Sequence, residues 1–160
     1  MNNPTRFALA AACVFAAFSG SAEASEADFL KRFNGSFAGG GQFMDDGDAH
    51  KISCKMSGSA TASTVNIGGN CNAGIVSKNV SASLRAGKNG RYTGSYNGGS
   101  LSGRRKGNTI VLSVRGAKPA TMTISNSGGG ISLSVVANEG QTTKVSLSRS
   151  GGSQVASLAE

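Results

Sequence analysis

The chain has no tryptophan and few of the other side chains on which enzyme chemistry depends. Its 160 residues include two tyrosines, one histidine, three cysteines and eight acidic residues. A catalytic site needs polar groups of matched reactivity close together, and only His50 offers an imidazole base. A glycosidase needs two carboxylates across a cleft, whereas Asp45, Asp46 and Asp48 cluster in one predicted turn. We therefore expect no catalytic residue and no enzymatic function.

Metal and cofactor sites lack the residues they need. The group from Asp45 to His50 does not match the calcium loop, which requires a glutamate further along the chain. Two cysteines supply only half of the four ligands of a structural zinc site. The glycine-rich stretch 33–43 is not followed by Gly-Lys-Ser or Gly-Lys-Thr, so it does not predict a phosphate loop. We expect no metal and no cofactor.

The N-terminus has the pattern of an export signal. One basic residue, Arg6, precedes an apolar core from Phe7 to Phe18, and small residues follow at Ala22 and Ala24. This pattern predicts a signal peptide over residues 1–24, cleaved after Ala24. Its apolar run is too short to span a bilayer. We expect a periplasmic or secreted protein whose remaining length suits one domain.

Two cysteines occupy equivalent positions in neighbouring alternating stretches. Ile52, Cys54 and Met56 alternate with polar residues, as do Val65 and Cys71 in the next stretch, and a period of two indicates half-buried strands. If these strands form a hairpin, the thiols meet on its inner face. The alternative is two buried free thiols. An oxidising compartment favours a Cys54–Cys71 disulfide.

The same alternation recurs along the chain and predicts an all-β fold. Hairpin signals such as Asp46-Gly47 separate the alternating stretches. We expect a small antiparallel up-and-down barrel of about 8–9 strands over residues 34–149, with a β-sandwich as the alternative. Closure into a barrel removes exposed strand edges. A helical turn over 25–33 precedes the barrel and a flexible tail over 150–160 follows it. The nine predicted strands are 33–43, 51–57, 65–71, 79–85, 91–97, 109–115, 120–126, 131–135 and 144–149.

The charge is unevenly distributed. No acidic residue occurs between Ala49 and Asn138, a stretch that contains eleven lysines and arginines. We expect this surface to bind an anionic envelope lipid or polysaccharide, such as lipopolysaccharide, and to contact a membrane at most peripherally. A basic surface that serves only solubility is the alternative. Nucleic acid is not an expected partner, because the strands lack interleaved aromatic platforms. The predicted anion-binding residues are Arg91, Arg104, Arg105, Lys106 and Arg115.

Two further functions remain open from the sequence. The barrel is a candidate carrier of a small apolar ligand, since barrels of this size can enclose one. Small residues that face inward, such as Gly35, Gly39, Ala82 and Gly94, are consistent with internal space or with a tightly collapsed barrel. The other function is a protein-interaction module, for which the basic charge favours an acidic partner. The sequence predicts no oligomeric state.

Residues 91–114 and 120–130 carry a resemblance. The segments RYTGSYNGGSLSGRRKGNTIVLSV and ATMTISNSGGG resemble a group of small, exported, glycine- and serine-rich β proteins of Gram-negative bacteria whose members are uncharacterised. The resemblance extends from Phe33 to Arg149. It implies a periplasmic or secreted bacterial protein and assigns no catalytic residue.

Overall fold

Ten antiparallel strands close into a barrel in the computed structural model of the protein, which describes residues 21–127, 129–137 and 139–151. Each strand pairs with the next along the chain, and the first pairs with the last. The predicted all-β meander barrel is confirmed, and the sandwich is not. The elements are α1 Ser21–Lys31, β1 Gly35–Asp45, β2 Asp48–Ala60, β3 Thr64–Ala73, β4 Val76–Ala86, a 3₁₀ turn Lys88–Gly90, β5 Arg91–Tyr96, β6 Gly99–Lys106, β7 Thr109–Arg115, β8 Ala120–Asn126, β9 Gly130–Ala137 and β10 Thr142–Arg149.

The barrel has one strand more than the upper end of the predicted range. The additional strand is β6, whose sequence GSLSGRRK hides its alternation behind three consecutive basic residues. Leu101 and Arg105 nevertheless face inward, and Arg104 and Lys106 face outward. An inward arginine is unexpected in a strand pattern. Here it lies at the end of the barrel, where a long side chain can reach a partner outside the apolar core.

The other strands form where apolar residues alternate with polar ones. In β7, Ile110, Leu112 and Val114 are buried, whereas Val111 points outward and is 47% exposed. The turn predicted at Asp46-Gly47 joins β1 to β2. Asp46 and Gly47 both have positive φ, 47° and 92°, which matches the two-residue turn that follows the twist of antiparallel strands.

The predicted disulfide is confirmed. Cys54 of β2 and Cys71 of β3 are directly opposite each other in the strand register and are bonded. Cys54 is buried within the barrel core, and Cys71 packs against it from a half-buried position. The bond therefore links neighbouring strands from the inner face of the sheet.

Glycines mark places where strands approach each other too closely for a side chain. A Cβ atom on Gly39 would overlap the Ser146 carbonyl oxygen, and one on Gly94 would overlap the Ser83 carbonyl oxygen. Both glycines pair with inward-facing residues, so they lie on the core side of the sheet. At these two positions, backbone atoms of the neighbouring strand occupy the space that a side chain would take. The glycines here therefore indicate a tightly collapsed barrel and not internal space.

The helix α1 is longer than the helical turn predicted over residues 25–33. It begins at Ser21, before the predicted cleavage point after Ala24, and β1 begins at Gly35. Of the predicted signal peptide, residues 1–20 lie outside the described residues, as do residues 152–160 of the predicted tail. No helix in the described part of the chain is both long and apolar enough to cross a bilayer.

Candidate functional site

The two ends of the barrel differ. We call the end where β1 begins and β2 ends the closed end, because α1 lies there. Phe29, Leu30 and Phe33 are 1%, 0% and 0% exposed and belong to the barrel core. The opposite end carries the Asp46-Gly47 turn and no described helix. We call it the open end.

Polar contacts hold α1 against the closed end. Glu26 accepts a hydrogen bond from the Tyr92 hydroxyl through one carboxylate oxygen and pairs with Arg105 Nε at 3.0 Å through the other. The Arg105 guanidinium also lies 4.6 Å from the centre of the Phe29 ring. Arg105 and Glu26 are only 18% and 19% exposed, so water screens this pair less than a surface ion pair.

The segment after α1 is also attached to the barrel. Asn34 Oδ1 accepts a hydrogen bond of 2.5 Å from the Ala60 amide. The Arg149 guanidinium donates to the carbonyl oxygens of Arg32 and Asn34 at 3.0 and 2.5 Å. Asn34 immediately precedes β1 and Arg149 is the last residue of β10, so these contacts fix the segment between α1 and β1 to the barrel.

The interior is less covered toward the open end. Several inward apolar side chains there are only half-buried, although they pack against the core: Ile52, Cys71, Val80, Tyr96, Leu133 and Val135. A pocket of about 320 Å³ opens beside two of them, Tyr96 and Val135. It is near the lower limit of the ~300–1,000 Å³ typical of small-molecule sites.

This pocket, which we call the mouth pocket, is lined by inward side chains and by the loop between β7 and β8. The inward residues come from β5, β7, β8 and β9, and the loop contributes Gly116, Ala117 and Lys118. The lining is mainly apolar, and its polar residues are Tyr96, Asn97 and Lys118. The five inward residues are Tyr96, Val114, Ala120, Val135 and Ala137.

Tyr96 supplies the one side-chain hydroxyl in the lining of the mouth pocket. Burial raises the pKa of this hydroxyl above its ordinary value, because the anionic form would lose hydration. The hydroxyl is therefore neutral at physiological pH. A neutral phenol in an apolar pocket can both donate and accept a hydrogen bond, which suits the polar end of an otherwise apolar molecule.

Two larger grooves lie on the outer face of the sheet. One, of about 720 Å³, crosses β8, β9, β10, β1 and β2, and the other, of about 520 Å³, crosses β2 to β5. Their side chains belong mostly to the outward set of serines, threonines and lysines. Such side chains are ordinary on an exposed sheet face, and some bond to one another, as Ser83 and Ser95 do at 3.0 Å. Neither groove offers the apolar enclosure that distinguishes the mouth pocket.

The structure brings together three of the five predicted anion-binding residues. Arg91 and Arg104 are directly opposite on β5 and β6, both exposed, and Lys106 follows on the same face. Arg105 points the other way and is engaged with Glu26. Arg115 ends β7, four residues beyond the partner of Arg104, or about 13 Å further toward the open end. We call Arg91, Arg104 and Lys106 the basic cluster.

The acidic turn has contacts of its own. Asp45 accepts a hydrogen bond of 2.7 Å from Gln141 Nε2, and the His50 ring stacks on Phe43 at 6.3 Å between centres. Within residues 21–127, 129–137 and 139–151, no group of three or more His, Cys, Asp or Glu side chains is placed to hold a metal ion.

Sequence reasoning did not single out the mouth pocket. The apolar residues that line it are common in any strand, and they come from four strands that only barrel closure brings together. One local signal was available at Tyr96. It ends β5 on the inward face and precedes the Asn97-Gly98 turn, where both residues have positive φ. An inward tyrosine at a strand end indicates the rim of a barrel.

Comparison with known proteins identifies the fold. No family model and no curated protein matches the chain. Among solved structures, it is similar to the S-type phycobiliprotein lyase CPES from Guillardia theta, with a TM-score of 0.57 over 82% of this chain and 98% of that chain. The two sequences are 10% identical, so the likeness shows a shared fold.

This likeness corrects one expectation from the sequence. We expected no enzymatic function, because the chain has few titratable groups. That exclusion is wrong, because the fold is shared with a protein named as a lyase. A fold does not by itself assign a function, and the small number of titratable groups does not remove enzymes from consideration.

Proposed function

We propose that the barrel binds a small, mainly apolar molecule through its open end. The observation that carries this proposal is the mouth pocket, an apolar recess lined by inward side chains at the end opposite α1. The shared fold is compatible with it, since closed meander barrels can hold one small ligand among their inward side chains. The sequence left this function open as an alternative to the binding of lipopolysaccharide. The mouth pocket supports ligand binding better than it supports lipopolysaccharide binding.

The chemistry of the pocket defines the ligand class. Val114, Ala120 and Val135 offer only apolar surface, while Tyr96 offers one neutral hydroxyl. Lys118 lies at the edge, where it already pairs with Glu139 at 3.4 Å. The pocket therefore fits a slender apolar body with a single polar group, such as a fatty acid or a similar lipid fragment, with the polar group near Tyr96.

Filling the pocket tests the proposal. The double variant Ala120→Leu and Ala137→Leu adds side chains to the lining, and Ala49→Leu adds one at an exposed position of β2. We expect the pocket variant to bind the fluorescent fatty acid cis-parinaric acid about tenfold more weakly than the wild type. The Ala49→Leu control should bind it as the wild type does. Equal affinity in all three proteins, or no binding by the wild type, would remove the proposal.

A second candidate function rests on the basic cluster. Arg91 and Arg104 are opposed on neighbouring strands, where like charges repel. An anion between them would relieve this repulsion, and arginine forms paired hydrogen bonds with phosphate and carboxylate. We propose an anionic envelope lipid or polysaccharide as the partner, encountered in the periplasm or after secretion.

Salt dependence tests this second candidate. Binding to vesicles that contain phosphatidylglycerol should weaken steeply between low and physiological salt, because exposed charges are screened. The double variant Arg91→Ser and Arg104→Ser should lose this binding, whereas Arg115→Ser, about 13 Å away along the strands, should retain it. Binding that ignores salt, or equal losses in both variants, would argue against the basic cluster.

A further inference from the structure

The hairpin between β3 and β4 ends in exposed apolar residues that do not belong to the hydrophobic core. Ala73 pairs with Val76, so Gly74 and Ile75 form its two-residue turn. Ile75 is 104% exposed and Val76 is 53% exposed. Turns of this kind ordinarily carry asparagine, aspartate or glycine. We call Ile75 and Val76 the apolar tip.

The apolar tip lies at the end of the barrel where the mouth pocket opens. β3 ends and β4 begins at the open end, because β3 starts beside the end of β2 at the closed end. Tyr96 and Ala120 of the mouth pocket also lie at the open end of their strands. The apolar tip and the mouth pocket therefore lie at the same end of the barrel. The Asp46-Gly47 turn lies there too, because β2 continues from Ser53 to Asp48 beyond its last pair with β3.

We propose that the apolar tip inserts into the surface of a lipid bilayer and brings the open end of the barrel against it. This inference rests on the proposed binding of an apolar ligand. Such a ligand dissolves in a bilayer far better than in water, so a carrier gains by loading at the bilayer surface. The two strands of the hairpin remain paired with each other up to Ala73 and Val76, which limits the number of backbone polar groups that shallow insertion of the tip brings into lipid.

The charges at the open end favour apolar insertion over electrostatic attraction. Exposed Lys78 follows the apolar tip in β4, two residues after Val76. Asp46 and Asp48 lie at one turn, Arg115 ends β7, and Lys118 pairs with Glu139 at another turn. With both signs present, an anionic surface is attracted by some of these groups and repelled by others. We therefore expect docking to occur on zwitterionic lipid and to depend little on salt, unlike binding through the basic cluster.

Insertion of only Ile75 and Val76 should hold the protein on the bilayer briefly. A single myristoyl chain, which is larger than the apolar tip, already gives only marginal and reversible membrane binding. A short residence suits a carrier, because it must leave the bilayer with its ligand. The tip should therefore affect the rate of exchange with a bilayer more than the amount of protein bound to it.

The absence of tryptophan allows a direct test of docking. In the variant Ile75→Trp the new side chain is the one tryptophan in the chain, and so is that of the control Val111→Trp on the outer face of β7. We expect addition of phosphatidylcholine vesicles to shift the Ile75→Trp emission to shorter wavelength in low and high salt. The Val111→Trp emission should not move. No shift in Ile75→Trp, as expected if the tip binds a protein instead, or equal shifts in both, would overturn the proposal.

Transfer kinetics separate docking from ligand binding. The double variant Ile75→Ser and Val76→Ser should slow the transfer of cis-parinaric acid between phosphatidylcholine vesicles about tenfold. Its affinity for the same probe without vesicles should equal that of the wild type, and Val111→Ser should be normal in both assays. An unchanged transfer rate would contradict docking even if the probe binds. A wild type that binds no probe would contradict the proposed function, whatever the tryptophan emission shows.

Discussion

Glu26 of α1 and Arg105 of β6 form an ion pair, with 3.0 Å between Glu26 Oε2 and Arg105 Nε, although 79 residues separate them in sequence. The same carboxylate accepts a hydrogen bond from Tyr92. One acidic side chain thus joins the helix to two adjacent strands at the closed end. The residues that make these contacts follow Ala24, so cleavage at the predicted position would leave them in the mature protein.

The ion pair should contribute measurably to stability. Glu26→Gln removes the charge that Arg105 and Tyr92 contact in a mostly buried place, so we expect the free energy of unfolding to fall by about 1.5–3 kcal/mol. Asp28→Asn is the matched control in the same helix. Asp28 pairs with Lys31 at 3.6 Å, but these side chains are 69% and 63% exposed, and exposed pairs contribute about 0–1 kcal/mol. Urea unfolding of the two variants measures the difference, and equal losses would show that the closed end does not depend on Glu26.

The disulfide should stabilise the barrel by limiting the unfolded chain. Cys54 and Cys71 are 17 residues apart, and closing a loop of this size contributes about 3 kcal/mol in the chain-entropy model. We expect the variant with serine at both positions to lose about that amount in urea unfolding. The wild type with and without reductant provides the matched comparison. A reduced wild type as stable as the oxidised protein would rule out this contribution.

Replacing Gly94 with alanine should destabilise the folded protein far more than replacing Gly68. A Cβ atom on Gly94 would overlap the Ser83 carbonyl oxygen, whereas one on Gly68 would lie 3.9 Å from the Val80 carbonyl oxygen, an ordinary contact. We expect Gly94→Ala to lower the free energy of unfolding by about 2–3 kcal/mol, because the strand must shift. Gly68→Ala should change it by less than about 0.5 kcal/mol. Thermal unfolding of both variants is the measurement, and similar midpoints would mean that the strands are not in close contact at Gly94.

Tyr96 should make stability fall at high pH. Burial raises the pKa of its hydroxyl in the folded protein, so the folded state keeps a proton that the unfolded chain loses. The contribution of Tyr96 to stability is therefore fully present below about pH 10, the pKa of tyrosine in the unfolded chain. It is lost as the pH rises through the higher pKa of Tyr96 in the folded protein. In Tyr96→Phe this part of the decline should disappear. Urea unfolding of both proteins at a series of alkaline pH values checks it, and parallel curves would contradict burial of the hydroxyl.

Much of the fold could be predicted from the sequence because it depends on local patterns. Alternation with a period of two marks which side of a strand is buried, and Asp46-Gly47 needs only two residues to form its turn. Cys54 and Cys71 occupy like-facing positions of two stretches joined by a short connection, so the pattern predicted that both thiols lie on the inner face of one hairpin. The strand β6 was not predicted because Arg105 occupies an inward position. Its guanidinium faces inward because it pairs with Glu26, which is 79 residues away in sequence.

The sequence by itself determined the strands of an all-β meander, the like-facing positions of Cys54 and Cys71 and the basic character of the central strands, because each depends on residues close together along the chain. Only the tertiary structure decided which end is closed, which basic residues share a surface and where apolar side chains leave a pocket. Tyr96 and Val135 come from β5 and β9, so nothing local relates them. Closure of the barrel and docking of α1 at one end place them together, because the helix covers apolar side chains at its own end and leaves those at the other end half-exposed.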